Sequence, residues 1–153
     1  MAADPDFDAI AVVQIGLQVR DPAASLHFYR DVLGFELVSE IRHDRCLWAL
    51  RLANTVVKLV LDPTPLAGAN PRIGFTTDER RYGMFQLVLS ITNVRELLEE
   101  CSAEGVEIDV PFVPWPEGVS GTVGGGYAWI RDPDGNVVQL VQGDHWPRGG
   151  GDR

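Results

Sequence analysis

The chain has 153 residues, 45% hydrophobic and 23% charged, which fits one compact globular domain large enough to bury a core. Thirteen basic against 22 acidic residues leave a net charge of −9, a field that repels phosphate backbones and anionic lipid surfaces and argues against nucleic-acid and membrane partners. No apolar stretch reaches the length of a bilayer span, the start MAADPDFD has no signal-peptide pattern, and two cysteines make no disulfide framework. A cytoplasmic protein with two reduced thiols is expected.

In chain order, residues up to Asp8 read as a frayed end, and alternation from Ile10 to Val19 predicts a strand with Ile15, Leu17 and Val19 on one face and Gln14, Gly16 and Gln18 on the other. Asp21-Pro22 supplies an N-cap and a proline at the first helical position. Leu26, Tyr29 and Leu33 follow at helical spacing, and Gly34 is placed to end the helix. Three strands are predicted next, Phe35 to Arg42, Arg45 to Leu52 and Thr55 to Asp62, which makes the unit β-α-β-β-β. Residues 63–83 form a linker long enough to be a lid or a dimer arm, with Ile73 and Phe75 as exposed apolar residues. A second unit then runs from 84 to 143. Phe85 to Ile91 is its first strand, Asn93 and Glu96 read as a capping box, and Val94, Leu97, Leu98 and Cys101 form a helical stripe stopped at Gly105. Val106 to Val113 is the next strand, followed by a proline- and glycine-rich loop, Pro114 to Gly126. Asp132-Pro133-Asp134-Gly135-Asn136 joins Tyr127–Arg131 to Val137–Val141 as a hairpin. Residues 1–9 and 144–153 are read as disordered.

The two units echo each other. Val56-Val57-Lys58-Leu59-Val60 returns as Val137-Val138-Gln139-Leu140-Val141, identical in four of five places, and Gln14–Asp21 reads like Gln86–Asn93, 72 residues later. Lys58 is the only lysine beside twelve arginines. That bias suggests a GC-rich, bacterial coding sequence.

The stretch Leu17-Gln18-Val19-Arg20-Asp21-Pro22, then Ser25, Phe28-Tyr29 and Val32-Leu33-Gly34-Phe35, together with Arg131-Asp132-Pro133-Asp134-Gly135-Asn136, resembles the vicinal oxygen chelate superfamily over residues 10 to 143. That superfamily includes glyoxalase I, bleomycin-resistance proteins, fosfomycin-resistance enzymes, methylmalonyl-CoA epimerase and extradiol dioxygenases. The resemblance implies an α+β fold in which two tandem β-α-β-β-β modules (10–62 and 84–143) form an open, cup-shaped eight-stranded sheet with helices outside. It also implies a homodimer and a small-molecule ligand. Catalytic relatives hold a divalent metal on four strand positions, which align with Gln14, Lys58, Gln86 and Gln139. Three amides and an ammonium are poor ligands for Zn, Fe or Ni, so no metal and no other cofactor is expected.

Two readings of Lys58 stand side by side. One is an internal ion pair or a side chain snorkelling to the cavity mouth. The other is a desolvated amine serving as general base, Schiff-base nucleophile or charged anchor. Trp48, Trp115, Tyr127 and Trp129 are candidate walls for a flat ligand, with core packing as the alternative for each and a dimer contact as the rival for Trp115. His27 reads as solvated, His43 as a turn residue and His145 as part of the tail. Gly124-Gly125-Gly126 is a weak phosphate-cradle signal, and Arg72, Arg80 and Arg81 read as solvated. The leading reading is a metal-independent protein holding a partly aromatic metabolite or antibiotic. The alternative is a metal-independent isomerase, cyclase or lyase using Lys58, and a metal-dependent glyoxalase or dioxygenase ranks third.

Overall fold

A computed structural model describes residues 13–42, 46–53, 55–61, 86–116 and 124–143. The two ends and the linker 63–83, with Arg72, Ile73, Phe75, Arg80 and Arg81, lie outside these residues, as do His43 and His145. The elements are β1 (Val13–Val19), α1 (Pro22–Leu26) running into a π-helical segment (His27–Val32), β2 (Glu36–Arg42), β3 (Cys46–Leu52), β4 (Thr55–Leu61), β5 (Gln86–Ile91), α2 (Val94–Ala103), β6 (Ile108–Pro114), β7 (Gly126–Arg131) and β8 (Val137–Gln142). They make two four-stranded sheets in compact units of their own, ordered β1-β4-β3-β2 and β5-β8-β7-β6. The same α+β topology therefore occurs twice. In each sheet the last strand returns beside the first and runs parallel to it, and the remaining pairs are antiparallel.

In the first unit the Asp21 carboxylate accepts from the backbone N–H groups of Ala23 and Ala24 at 3.0 and 3.2 Å, the expected N-cap. The single α-helix expected after it instead widens. Leu33 N–H donates to the Phe28 carbonyl five residues back, at 3.0 Å. Phe28, Tyr29 and Val32 are buried along this segment, continuing the stripe that Ser25 begins in α1. Tyr29 meets Phe28 and Phe35 edge to face, with centroids 4.9 and 5.8 Å apart. Gly34, at φ +76°, takes the left-handed turn that ends the segment. Leu50, Val57 and Leu59 share one face of this sheet and are fully buried, and α1 packs against β4.

In the second unit the capping box does not form. Asn93 makes no side-chain cap bond, and the first helical N–H, of Val94, donates instead to the Gln142 side chain of β8 at 3.0 Å. Gln142 also donates to the Gly124 carbonyl at 3.1 Å, tying the helix start, the last strand and the loop before β7 together. Val94, Leu98 and Cys101 form the buried stripe. The β7–β8 turn is built by Asp132, whose carboxylate accepts from Asp134 N–H, Asn136 N–H and the Asn136 side-chain amide at 3.0, 2.8 and 2.8 Å, with Gly135 at φ +87°. Arg131, buried at the end of β7, donates to Asp109 at 2.6 Å and to the Gly135 carbonyl at 3.1 Å.

Candidate functional site

Register decides which side chains share a face. In the first sheet Lys58 stands opposite Gly16 on β1 and opposite Ala49 on β3, while Gln14 lies two residues back along β1, opposite Val56. Successive side chains alternate, so Gln14, Gly16, Lys58 and Ala49 belong to one face. That face is open along β1, with Gln14, Gly16 and Gln18 exposed, while Lys58 is half-buried and Val56 and Ala49 are buried. A Cβ built on Gly16 would meet no atom within 4 Å. Among the described residues Lys58 makes no hydrogen bond and no ion pair. Trp48 is brought elsewhere: it pairs with Leu59 on the opposite, helix-backed face, is 7% exposed, and donates its indole N–H to Glu40 at 3.0 Å. Arg42, at 2.6 Å, and then Trp48 hold the Glu40 carboxyl below the usual carboxylate range. Trp48 does not share the face of Lys58, although its burial matches that of Trp129, which is 8% exposed.

The second sheet gathers its candidates. Gln139 stands opposite Val88 on β5 and Trp129 on β7, Gln86 lies two residues back along β5, and Tyr127 is two residues along β7. All four candidates occupy one face. The amides of Gln86 and Gln139 meet directly, Gln86 Nε2 donating to Gln139 Oε1 at 3.0 Å, and Gln86 Oε1 is buried with no hydrogen-bond partner among the described residues. Trp115 stacks at a tilt on Tyr127, centroids 4.8 Å apart, and Tyr127 stands 6.1 Å from Trp129. Trp115 is held there by its own N–H, which donates to the Gly125 carbonyl at 3.0 Å. The face thus carries a row of three rings beside a polar amide pair. Gly126 serves packing at this place: a Cβ there would run into the Val113 carbonyl and the Phe112 ring, so only glycine lets β6 and β7 close.

Gln14, Lys58, Gln86 and Gln139, the positions expected from the resemblance to align with metal ligands, are amide, ammonium, amide and amide. Gln139 Oε1 is already taken by the Gln86 amide, and a lysine ammonium has no lone pair to give. Among the described residues no group of three or more His, Cys, Asp or Glu could hold an ion. The residues do not fit a divalent metal. His27 is exposed on the π segment, 3.3 Å from Asp31, whose carboxyl is held down at about 2 mainly by its hydrogen bonds from Arg30. That trio belongs to the outer surface of the helix.

The sequence reading missed Gln142 and the small residues flanking Lys58. A signal for the latter was present. Aligned by register, Leu47-Trp48-Ala49-Leu50 corresponds to Tyr127-Ala128-Trp129-Ile130, so the order of Trp and Ala is inverted between the repeats and the ring changes face.

The profile of the Glyoxalase/Bleomycin resistance protein/Dioxygenase superfamily matches residues 11–140. Similar solved structures include a glyoxylase/bleomycin resistance protein/dioxygenase domain from Frankia sp. EAN1pec, with 19% identity, TM-score 0.68, and coverage of 90% of this chain and 93% of that one. The lactoylglutathione lyase of Agrobacterium tumefaciens shares 25% identity at TM-score 0.60, over 89% of this chain and 96% of that one. The fosfomycin resistance protein FosX of Listeria monocytogenes shares 20% at TM-score 0.61, over 86% and 92%. No functionally curated protein matches the sequence significantly. With the profile spanning most of its length and the superfamily's strand order present twice, the chain belongs to the glyoxalase/bleomycin resistance protein/dioxygenase superfamily.

Proposed function

We propose that this protein is a metal-independent, cytoplasmic small-molecule-binding member of the superfamily, taking a flat, partly aromatic metabolite or antibiotic. The observation that carries this reading is the Gln86–Gln139 amide pair, bonded at 3.0 Å at two aligned metal-ligand positions and flanked by Trp129, Tyr127 and Trp115 on the same side. Rings supply rigid apolar area at low entropic cost, and a few amide groups fix the orientation of a polar edge. The buried Gln86 Oε1 adds a specific demand, because an acceptor left unsatisfied favours a guest or rearrangement that brings it an N–H or O–H donor. The structural neighbours bear the names of a lyase and of an antibiotic-resistance protein, so the scaffold alone does not choose between catalysis and sequestration. The site chemistry favours binding, since it asks for no group beyond those present.

Titration of the protein with a panel of fused-ring heteroaromatics, read by tryptophan fluorescence, tests this directly. Binding is expected to weaken at least thirtyfold in Trp129→Ala, the loss of an aromatic anchor worth about 2 kcal/mol. A panel member that binds equally well without Trp129 and without Tyr127 would remove the basis for the reading.

A second reading has its own observation. Lys58 is half-buried and makes no ion pair among the described residues, which suits a metal-independent isomerase, cyclase or lyase with this amine as base or nucleophile. Lys58→Gln would then lower turnover by about 10²–10⁴ while binding persists. Borohydride would also trap a carbonyl substrate on the only lysine.

A further inference from the structure

The two sheets present corresponding rows across their open faces. In the second the row is Val88, Gln139, Trp129. In the first it is Gly16, Lys58, Ala49. The centre of the row has gained a positive charge, and both flanks have shrunk, from valine to glycine and from tryptophan to alanine. Among the described residues nothing refills the room beside Gly16, where a Cβ would touch no atom within 4 Å.

Among the described residues this half-buried ammonium, standing between a glycine and an alanine, meets no carboxylate. We propose that Gly16, Lys58 and Ala49 form an anion anchor that receives the carboxylate of a small organic acid, the ammonium supplying the positive charge that a metal would bring at this position. The inference rests on the small-molecule-binding reading and concerns the first sheet alone.

The chemistry favours a carboxylate over a phosphate. The row offers one point charge with three donors, whereas phosphate sites combine several cations or an array of backbone N–H groups. The net charge of −9 does not oppose this. At physiological salt the far field is screened beyond about 8 Å, while a contact pair at hydrogen-bond distance is screened much less. The small flanks act as the steric half of the recognition. Gly16, exposed and without a side chain, leaves width for a planar carboxylate to approach the ammonium from the β1 side, which the valine of the sister row would fill; Ala49 on the β3 side is itself buried.

The repeat supplies the test, because each element can be exchanged for its counterpart in the other sheet. Protein labelled with [ε-¹³C]lysine gives one lysine side-chain resonance, and 4-fluorobenzoate and 4-fluorobenzamide serve as probes, followed also by ¹⁹F NMR. The benzoate should move the Lys58 resonance and bind at least tenfold more tightly than the benzamide. Gly16→Val and Ala49→Trp, which leave the charge in place, should each weaken benzoate at least tenfold. Lys58→Gln should bring benzoate down to the benzamide level, a loss of about ten- to a hundredfold. Gly16→Val guards against misfolding in Ala49→Trp, since its new side chain enters empty space. Equal binding of the two probes, a lysine resonance that ignores benzoate, or full benzoate affinity in Gly16→Val would each overturn the anchor. If the benzamide still quenches tryptophan fluorescence in that case, only the anchor falls; if neither probe binds anywhere, the binding reading falls with it.

Discussion

Burial pushes the Cys101 thiol up to about 11, with the adjacent Glu100 carboxylate adding to the rise. The folded value lies above the ordinary 9.0, so the associated stability is fully present below pH 9 and is lost as the pH climbs through about 11. Urea denaturation should give a lower midpoint at pH 10.5 than at pH 8, and Cys101→Val should remove part of that difference. In the native protein a thiol reagent at pH 8 should label the half-buried Cys46 first and reach Cys101 only on unfolding. Fast labelling of both thiols would contradict the burial of Cys101. At this same scale the sequence was half legible. The alternation of Gln86, Gln139, Tyr127 and Trp129 could be read from period two alone, and the structure places all four on one face. Trp48 could not be placed that way, because its strand is apolar at nearly every position and so shows no preferred face. Only pairing with Leu59 reveals that its ring turns to the helix side.

The elements most exposed in the sequence were those with local chemical signatures. Asp21-Pro22 starts a helix, Asp132-Pro133-Asp134-Gly135-Asn136 closes a hairpin, and both behave as their side chains dictate. Features set by tertiary contact stayed hidden. The π segment follows a stripe that reads as an ordinary helix, and the cap of α2 comes from Gln142, far along the chain, in place of Asn93. The ion pair of Arg131 and Asp109 at 2.6 Å likewise joins β7 to β6 across a long separation. Arg131 is 1% exposed in its side chain and Asp109 14%. Removing the carboxylate leaves a buried guanidinium short of its charged partner, so Asp109→Ala should cost about 3 kcal/mol. Asp109→Asn, which keeps a hydrogen-bond acceptor, should cost less. Calorimetric unfolding of the two variants checks the order, and equal Tm values for both and the wild type would show that the pair contributes nothing.

At the scale of the whole molecule the chain is one βαβββ pattern written twice on different side chains, and the differences hold its functional content. The fold was legible because the pattern rests on apolar periodicity, glycine and turn chemistry, which the two copies share. The ligand was not, because the side chains that differ between the repeats, such as Lys58 against Gln139 and Ala49 against Trp129, follow no shared pattern. The central claim is that amides and an ammonium have taken over positions that resemble a metal site, and that binding proceeds without an ion. Elemental analysis of protein purified from metal-supplemented medium, followed by melting and fluorescence titration before and after chelation, tests it most directly. The account predicts far less than one transition-metal ion per chain, an unchanged Tm and unchanged affinity for aromatic guests. One Zn, Fe, Ni or Mn per chain, with Tm or affinity lost on its removal, would contradict it.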